Sequence, residues 1–195
     1  MTTSRPLLQI VVASTRPGRK GPIVAEWVEE QARRHGKFDI DLADLAVVNL
    51  PLLDEPEHPR LRKYHHDHTK AWSARVEHAQ AFVFVTPEYN HGTPPSLLNA
   101  LDYLVAEWAY KPVGFVSYGG LSGGLRSVQM TKQIVAALRM VPLVEAVTFP
   151  AFTKSIDSAT GRLSPDEFQA ANASKMFDEL LRWSEALAVL RAPKV

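Results

Sequence analysis

An alternation constrains this chain more than any other feature: short runs of β-branched and apolar residues recur between longer segments whose apolar residues follow helical spacing. Strand and helix in regular succession produce a parallel sheet covered on both faces. Five strands are predicted, Leu7 to Ala13, Phe38 to Asp41, Ala81 to Thr86, Val113 to Tyr118 and Leu143 to Phe149. The first, third and fourth lack polar alternation, as strands buried on both faces do. The second alternates through Phe38, Ile40 and Leu42 and reads as an edge.

The helices between them carry readable punctuation. The first begins at Gly21-Pro22, sets Ile23, Val24, Trp27 and Val28 on the sheet and stops at Gly36. A second covers Thr69 to Ala79. The third starts at Pro94-Pro95 and bears Leu97, Leu98, Leu101, Leu104 and Val105, a stripe wide enough to predict contact with a partner subunit. The fourth runs from Gly124 to Met140, and the last opens at Ser164-Pro165-Asp166-Glu167, read as a capping box between Ser164 and Glu167. Leu50 to Lys63, with three prolines, reads as a loop.

Composition enters as a set of exclusions. With 195 residues, 46% hydrophobic and 22% charged, the chain can fold as one domain over 1–195 without a metal or disulfide staple. Cysteine is absent, which removes thiolate chemistry and suits a reducing cytoplasm. Lys and Arg number 22 against 21 acids, in no long block, so no nucleic-acid partner is expected. No apolar run approaches the ~18 residues of a membrane span. His65 and His68 sit one turn apart but fall short of the four ligands of structural zinc, and no metal is expected.

Five parallel strands with crossover helices favour the order 2-1-3-4-5, whose switch point places ligands at the carboxyl ends of the strands. Three loops there can hold chemistry. After the first strand, Ser14-Thr15-Arg16-Pro17-Gly18-Arg19-Lys20 offers hydroxyls and three cations, with no acid between Ala13 and Ala25 and a helix N-terminus just downstream. This is a phosphate site. It contains neither the dinucleotide glycine fingerprint nor a P-loop, which points to a mononucleotide. After the third strand, Pro87, Glu88, Tyr89 and Asn90 combine a fixed backbone, a flat ring and consecutive amides suited to the edge of a heterocycle. After the fourth, Ser117-Tyr118-Gly119-Gly120 leads into a run with four glycines in six residues, fit for a close approach to a ligand. Gly120-Leu121-Ser122-Gly123-Gly124 imitates a hydrolase nucleophile elbow, but all seven histidines precede Ser122, the wrong order for that triad.

Taken together, these loops resemble the NADPH-dependent FMN reductase family of flavodoxin-like oxidoreductases. The resemblance rests on Ser14-x-Arg16, Thr86-Pro87-Glu88-Tyr89-Asn90, Asn99-Ala100-Leu101-Asp102 and Gly119 through Arg126, over about residues 7 to 150. It implies a flavodoxin-like doubly wound sheet and bound FMN. Ser14, Thr15 and Arg16, with the helix start at Pro22 and Ile23, would hold the phosphate. Pro87, Glu88, Tyr89 and Asn90 would line the ring, and Ser117, Tyr118, Gly119 and Gly120 would close its other edge. NADPH or NADH would deliver hydride to the flavin, a small acceptor such as a quinone, azo compound, chromate or free flavin would take the electrons, and no side chain need be catalytic. A homodimer or homotetramer is implied as well. The competing expectation is a flavodoxin-type electron carrier without NAD(P)H turnover. Arg60, Arg62 and Lys63 are further candidates, for the ribose phosphate of NADPH.

Overall fold

The computed structural model describes residues 5–192; the ends of the domain expected over 1–195 lie outside them. Five strands form one parallel sheet, β1 (Leu7–Val12), β2 (Asp39–Asp44), β3 (Ala81–Pro87), β4 (Pro112–Tyr118) and β5 (Val141–Phe149), in the order 2-1-3-4-5. Seven α-helical segments connect and extend them: α1 (Gly21–His35), α2 (Leu45–Val48), α3 (Asp67–His78), α4 (Pro95–Asp102), α5 (Leu125–Ala137), α6 (Glu167–Ala186) and α7 (Ala188–Arg191).

The absence of polar alternation in the central strands has its structural cause. Every residue of β3 and β4 is buried, because helices cover both faces. One core lies against α1 and α6, where Trp27 meets Phe149 edge-to-face at 5.4 Å. The other lies against α3, α4 and α5 around Trp72, Phe82, Phe84 and Trp108. Gly114 lets α6 press close to β4, since a Cβ there would stand 2.7 Å from Met176 Sδ.

Three expectations change. The second strand begins one residue later than predicted and runs three further, because Phe38 turns inward beside the His35 ring at 5.8 Å while pairing with β1 carries the strand to Asp44. The capping box of α6 is Asp166 with Gln169, not Ser164 with Glu167. The N–H of Ser164 is already donated to Ser155 O at 2.7 Å, in the short antiparallel bridge that precedes the helix, so it cannot receive a glutamate. Finally, α4 ends at Asp102, and Leu97, Leu101 and Leu104 are all buried within this chain's own core. Leu98 and Val105, the rest of the stripe, stay half-buried, so only its inner part has an internal explanation.

Candidate active site

The loops after β1, β3 and β4 converge at the carboxyl edge, with the turn after β5, around a cavity of about 360 Å3. Arg16, Pro87, Glu88, Tyr89, Tyr118, Gly119 and Gly120, all expected there, line it. Arg19 and Lys20, the other cations of the expected phosphate loop, line it too, as does the turn Ala151, Phe152 and Thr153, which was not anticipated. A larger concavity of about 1010 Å3 lies at the opposite edge, beside Leu7, Asp39 and Gln80. Size does not select the site; unsatisfied polar groups do.

Ser14 Oγ, Ser117 Oγ and the Tyr118 hydroxyl are buried and have no hydrogen-bond partner. Buried polar atoms are seldom left so; Tyr118 lines the cavity and Ser14 Oγ lies beside its hydroxyl at Gly21, a pair that points to a ligand, while Ser117 sits apart, against Gly124 at the start of α5. Burial pushes the Tyr118 hydroxyl up to about 12, so at neutral pH it stays protonated and can donate. Gly21 makes this arrangement possible. A Cβ there would lie 2.3 Å from Ser14 Oγ and 3.0 Å from the Tyr118 hydroxyl, so only glycine lets both side chains reach the start of α1.

The charges of the first loop are not equally free. Arg19 grips both oxygens of Asp44 at 2.7 Å and donates to Ser14 O at 3.0 Å, which ties the loop to the end of β2. Arg16 is exposed and donates only to the neighbouring Pro17 O at 3.3 Å, and Lys20 has no ion pair among the described residues. Two cations are thus uncompensated at the cavity, the charge that complements a phosphate monoester carrying close to −2. The residues present therefore fit an FMN phosphate. The helix start contributes less than expected, since Pro22 has no N–H and the N–H of Ile23 is donated to Lys20 O at 3.1 Å. Thr15 faces a neighbouring cleft with Ser96 and Asn99, away from the main cavity.

The loop after β3 is built differently. Tyr89 and Gly92 exchange backbone hydrogen bonds at 3.2 and 2.9 Å around Asn90 and His91, both left-handed at φ 49° and 68°. The amide of Tyr89 is therefore spent inside the hairpin, so the run of three consecutive amides expected for a heterocycle loses its middle member. Asn90 sits at the tip and does not line the cavity. Glu88 does something the sequence did not disclose. Its carboxylate accepts from Ser122 Oγ at 2.7 Å, from the Arg126 N–H at 3.0 Å and from Arg126 Nη1 at 3.0 Å, locking the loop after β3 to the glycine-rich one. Burial works to raise this carboxyl, but the bonds from Ser122 and Arg126 prevail and hold it below the ordinary value. Ser122, the imitation nucleophile, is part of this lock.

The glycine-rich loop runs under close constraint. Gly124 caps α5 at φ 87°, and a Cβ there would stand 2.9 Å from Ser117 Cβ and from the Tyr118 N. Gly119 O and Gly120 O accept from Phe152 N and Ala151 N at 3.0 and 2.7 Å, and Phe152 packs on Tyr118 at 4.9 Å. This coupling draws the turn after β5 into the cavity wall. Arg62 belongs elsewhere: it bonds Glu77 and Glu107 in a cavity at the amino edge, beside Lys111.

The sequence profile of NADPH-dependent FMN reductases matches residues 7–154, the span that carries all four loops. The chain belongs to the NADPH-dependent FMN reductase family. An FMN reductase relative from Schizosaccharomyces pombe, named NAD(P)H-dependent, is 41% identical over 149 residues, covering 74% of each chain. Another NAD(P)H-dependent FMN reductase, from Nectria sp, is 30% identical over 197 residues, 96% of this chain and 98% of its own. Among solved structures, the flavoenzyme NAD(P)H:(acceptor) oxidoreductase FerB from Paracoccus denitrificans superposes with a TM-score of 0.70 at 19% identity, covering 93% of this chain and 98% of that one. That last likeness shows the same fold over more of the chain than the family profile spans.

Proposed function

We propose that this NAD(P)H-dependent FMN reductase seats the FMN phosphate against Ser14, Arg16 and Lys20, with the ring between Pro87–Tyr89 and Tyr118–Gly120. One observation carries the reading: two uncompensated cations and the orphaned Tyr118 hydroxyl line one carboxyl-edge cavity, with the orphaned Ser14 Oγ beside that hydroxyl at Gly21. Bound there, FMN would supply the redox chemistry between NAD(P)H and a small acceptor. The chain's own part is electrostatic and geometric. Arg16 and Lys20 neutralise the phosphate, and the Tyr118 hydroxyl and Ser14 Oγ donate to the anion or its ester oxygens. Glu88 keeps the two ring loops at fixed separation, so that a planar group enters a slot that is already formed.

The acceptor class is a small oxidised molecule such as a quinone, an azo compound, chromate or free flavin, because the cavity opens to solvent between exposed loop residues. We place the enzyme in the cytoplasm on its cysteine-free composition, as one FMN-binding domain over 1–195. A homodimer or homotetramer rests on family resemblance, with the half-buried Leu98 and Val105 as the part of the stripe left for a partner. No described helix is long and apolar enough to cross a membrane.

The test is the visible spectrum of protein loaded with FMN and desalted, followed by anaerobic NADPH. Retained flavin that bleaches promptly is the expected result. Retained flavin that NADPH leaves unbleached would instead make this chain an electron carrier.

A further inference from the structure

At the amino ends of the strands, opposite the cofactor loops, a second cavity of about 500 Å3 lies between the start of β4, the residues after α5, and α7. Six charged groups border it: Arg62, Lys111, Arg139, Arg191, Glu77 and Glu107. Arg62 takes both carboxylates, bonding Glu77 and standing 3.3 Å from Glu107 Oε1. The second oxygen of Glu107 is buried without a partner. The other three cations have no carboxylate within ion-pair distance among the described residues.

Each of the three meets only neutral acceptors. Lys111 is 5% exposed, and its Nζ donates to Val76 O at 2.8 Å and Glu77 O at 2.9 Å, carbonyls at the end of α3. One of its three N–H donors is left over. Arg191 donates to Tyr110 O at 2.9 Å and Ser184 O at 2.8 Å. Arg139 is exposed and reaches only the Tyr110 hydroxyl, at 3.5 Å. Burial lowers the Lys111 amine to about 8; Glu77 opposes that shift and the Arg191 charge adds to it. An anion in the cavity would relieve the repulsion between these two cations.

The wall itself is strained. Tyr110 and Arg139 both adopt left-handed backbones, φ 60° and 62°, and are tied by the Tyr110 N–H to Arg139 O at 2.8 Å. Two such residues in contact, neither of them glycine, fix the backbone from which Arg139 projects at the cavity rim, and strain of this kind gathers at functional positions.

We propose that this cavity is a second ligand site, taking a phosphate group, free or as a monoester, on the guanidinium forks of Arg139 and Arg191 with the Lys111 charge behind them. It is independent of the cofactor cavity.

FMN-loaded holoprotein tests it, because the phosphate loop at the carboxyl edge is then filled. The thermal midpoint is followed against inorganic phosphate and against glycerol 3-phosphate, at constant ionic strength set with chloride, for wild type and Arg139→Gln. Wild type should show a saturable rise with at least one probe. Apparent affinity should fall about tenfold in the variant, the loss of one charge-assisted contact. In chloride alone the two proteins should melt together, since Arg139 makes a single long contact. A response to inorganic phosphate assigns a free anion, and a response to glycerol 3-phosphate alone assigns an organic ester. No rise with either probe, or equal rises in both proteins, overturns the proposal. Failure to retain FMN would sink the cofactor reading separately, and the wild-type to variant difference would still report on this cavity.

Discussion

The loops after β1 and β3 face the same cavity and solve opposite problems. The first, apart from Arg19, keeps its charged groups unspent: Arg16 and Lys20 are uncompensated, and Ser14 Oγ is orphaned. The loop after β3, Asn90 and His91 at its tip aside, spends its polar groups. Tyr89 pairs with Gly92, Glu88 accepts three bonds, and the Thr93 hydroxyl meets Thr131 Oγ1 at 2.8 Å. An anion is recognised by charge left available, and a flat ring by a slot whose walls do not move. The same cavity therefore pairs a loop that is energetically incomplete with one that is complete.

The sharpest way to break this contrast is Gly21→Val. Its side chain would strike Ser14 Oγ, the Tyr118 hydroxyl and Val12 Cγ1, all within 3.0 Å of the Cβ position. Overpacking of this kind costs about 1–3 kcal/mol, so the variant should melt well below wild type and lose FMN on desalting. Arg16→Gln comes next and separates binding from folding. The exposed guanidinium makes one local bond, so the melting point should hold while FMN dissociates about tenfold more readily, read by fluorescence recovery of released flavin.

Glu88→Gln probes the complete loop and should cost stability first, about 1–2 kcal/mol at neutral pH, measured by urea unfolding. Because the folded Glu88 carboxyl sits below its ordinary value, its contribution is present above the unfolded pKa and is lost as pH falls through the folded one. Wild type and Glu88→Gln should therefore converge in stability on acidification. The smallest effect on folding belongs to Ser14→Ala. Removing an orphaned buried hydroxyl should leave the melting point of the flavin-free protein within about 0.5 kcal/mol of wild type or slightly raise it, yet weaken FMN retention. If Ser14→Ala and Glu88→Gln behaved alike, the contrast between the loops would fail.

Much of this architecture is legible in the sequence. Strand order follows from the alternation of elements, and Pro87 through Tyr89 and Tyr118 through Gly120 announce themselves by composition and position. What stays hidden depends on tertiary pairing. β2 is rich in aspartate, a poor strand former, and its true span is set by register with β1. The helical turn Leu45–Val48 needs Asp44 as its cap, visible only once β2 is known to end there. Glu88 reads as a ring contact because nothing local reveals that Ser122 and Arg126 will reach it. The cavity wall at Ala151 to Thr153 has no motif; it is drawn in by bonds to Gly119 and Gly120. Nor does a helical wheel tell Leu97 and Leu101, buried at home, from residues awaiting a partner.

The aspartates of β2 carry one more consequence. Asp41 is clamped by Arg75 at 2.7 Å and Asp44 by Arg19 at 2.7 Å, while Asp39 stands exposed at the strand's beginning. An outermost strand presents free amides and carbonyls to which a strand of another molecule can add, and fixed charge along it is a common deterrent. Here the carboxylate that ties down the loop after β1 belongs to that same charged edge, so Asp44→Val should loosen the loop and make the outer strand more prone to association.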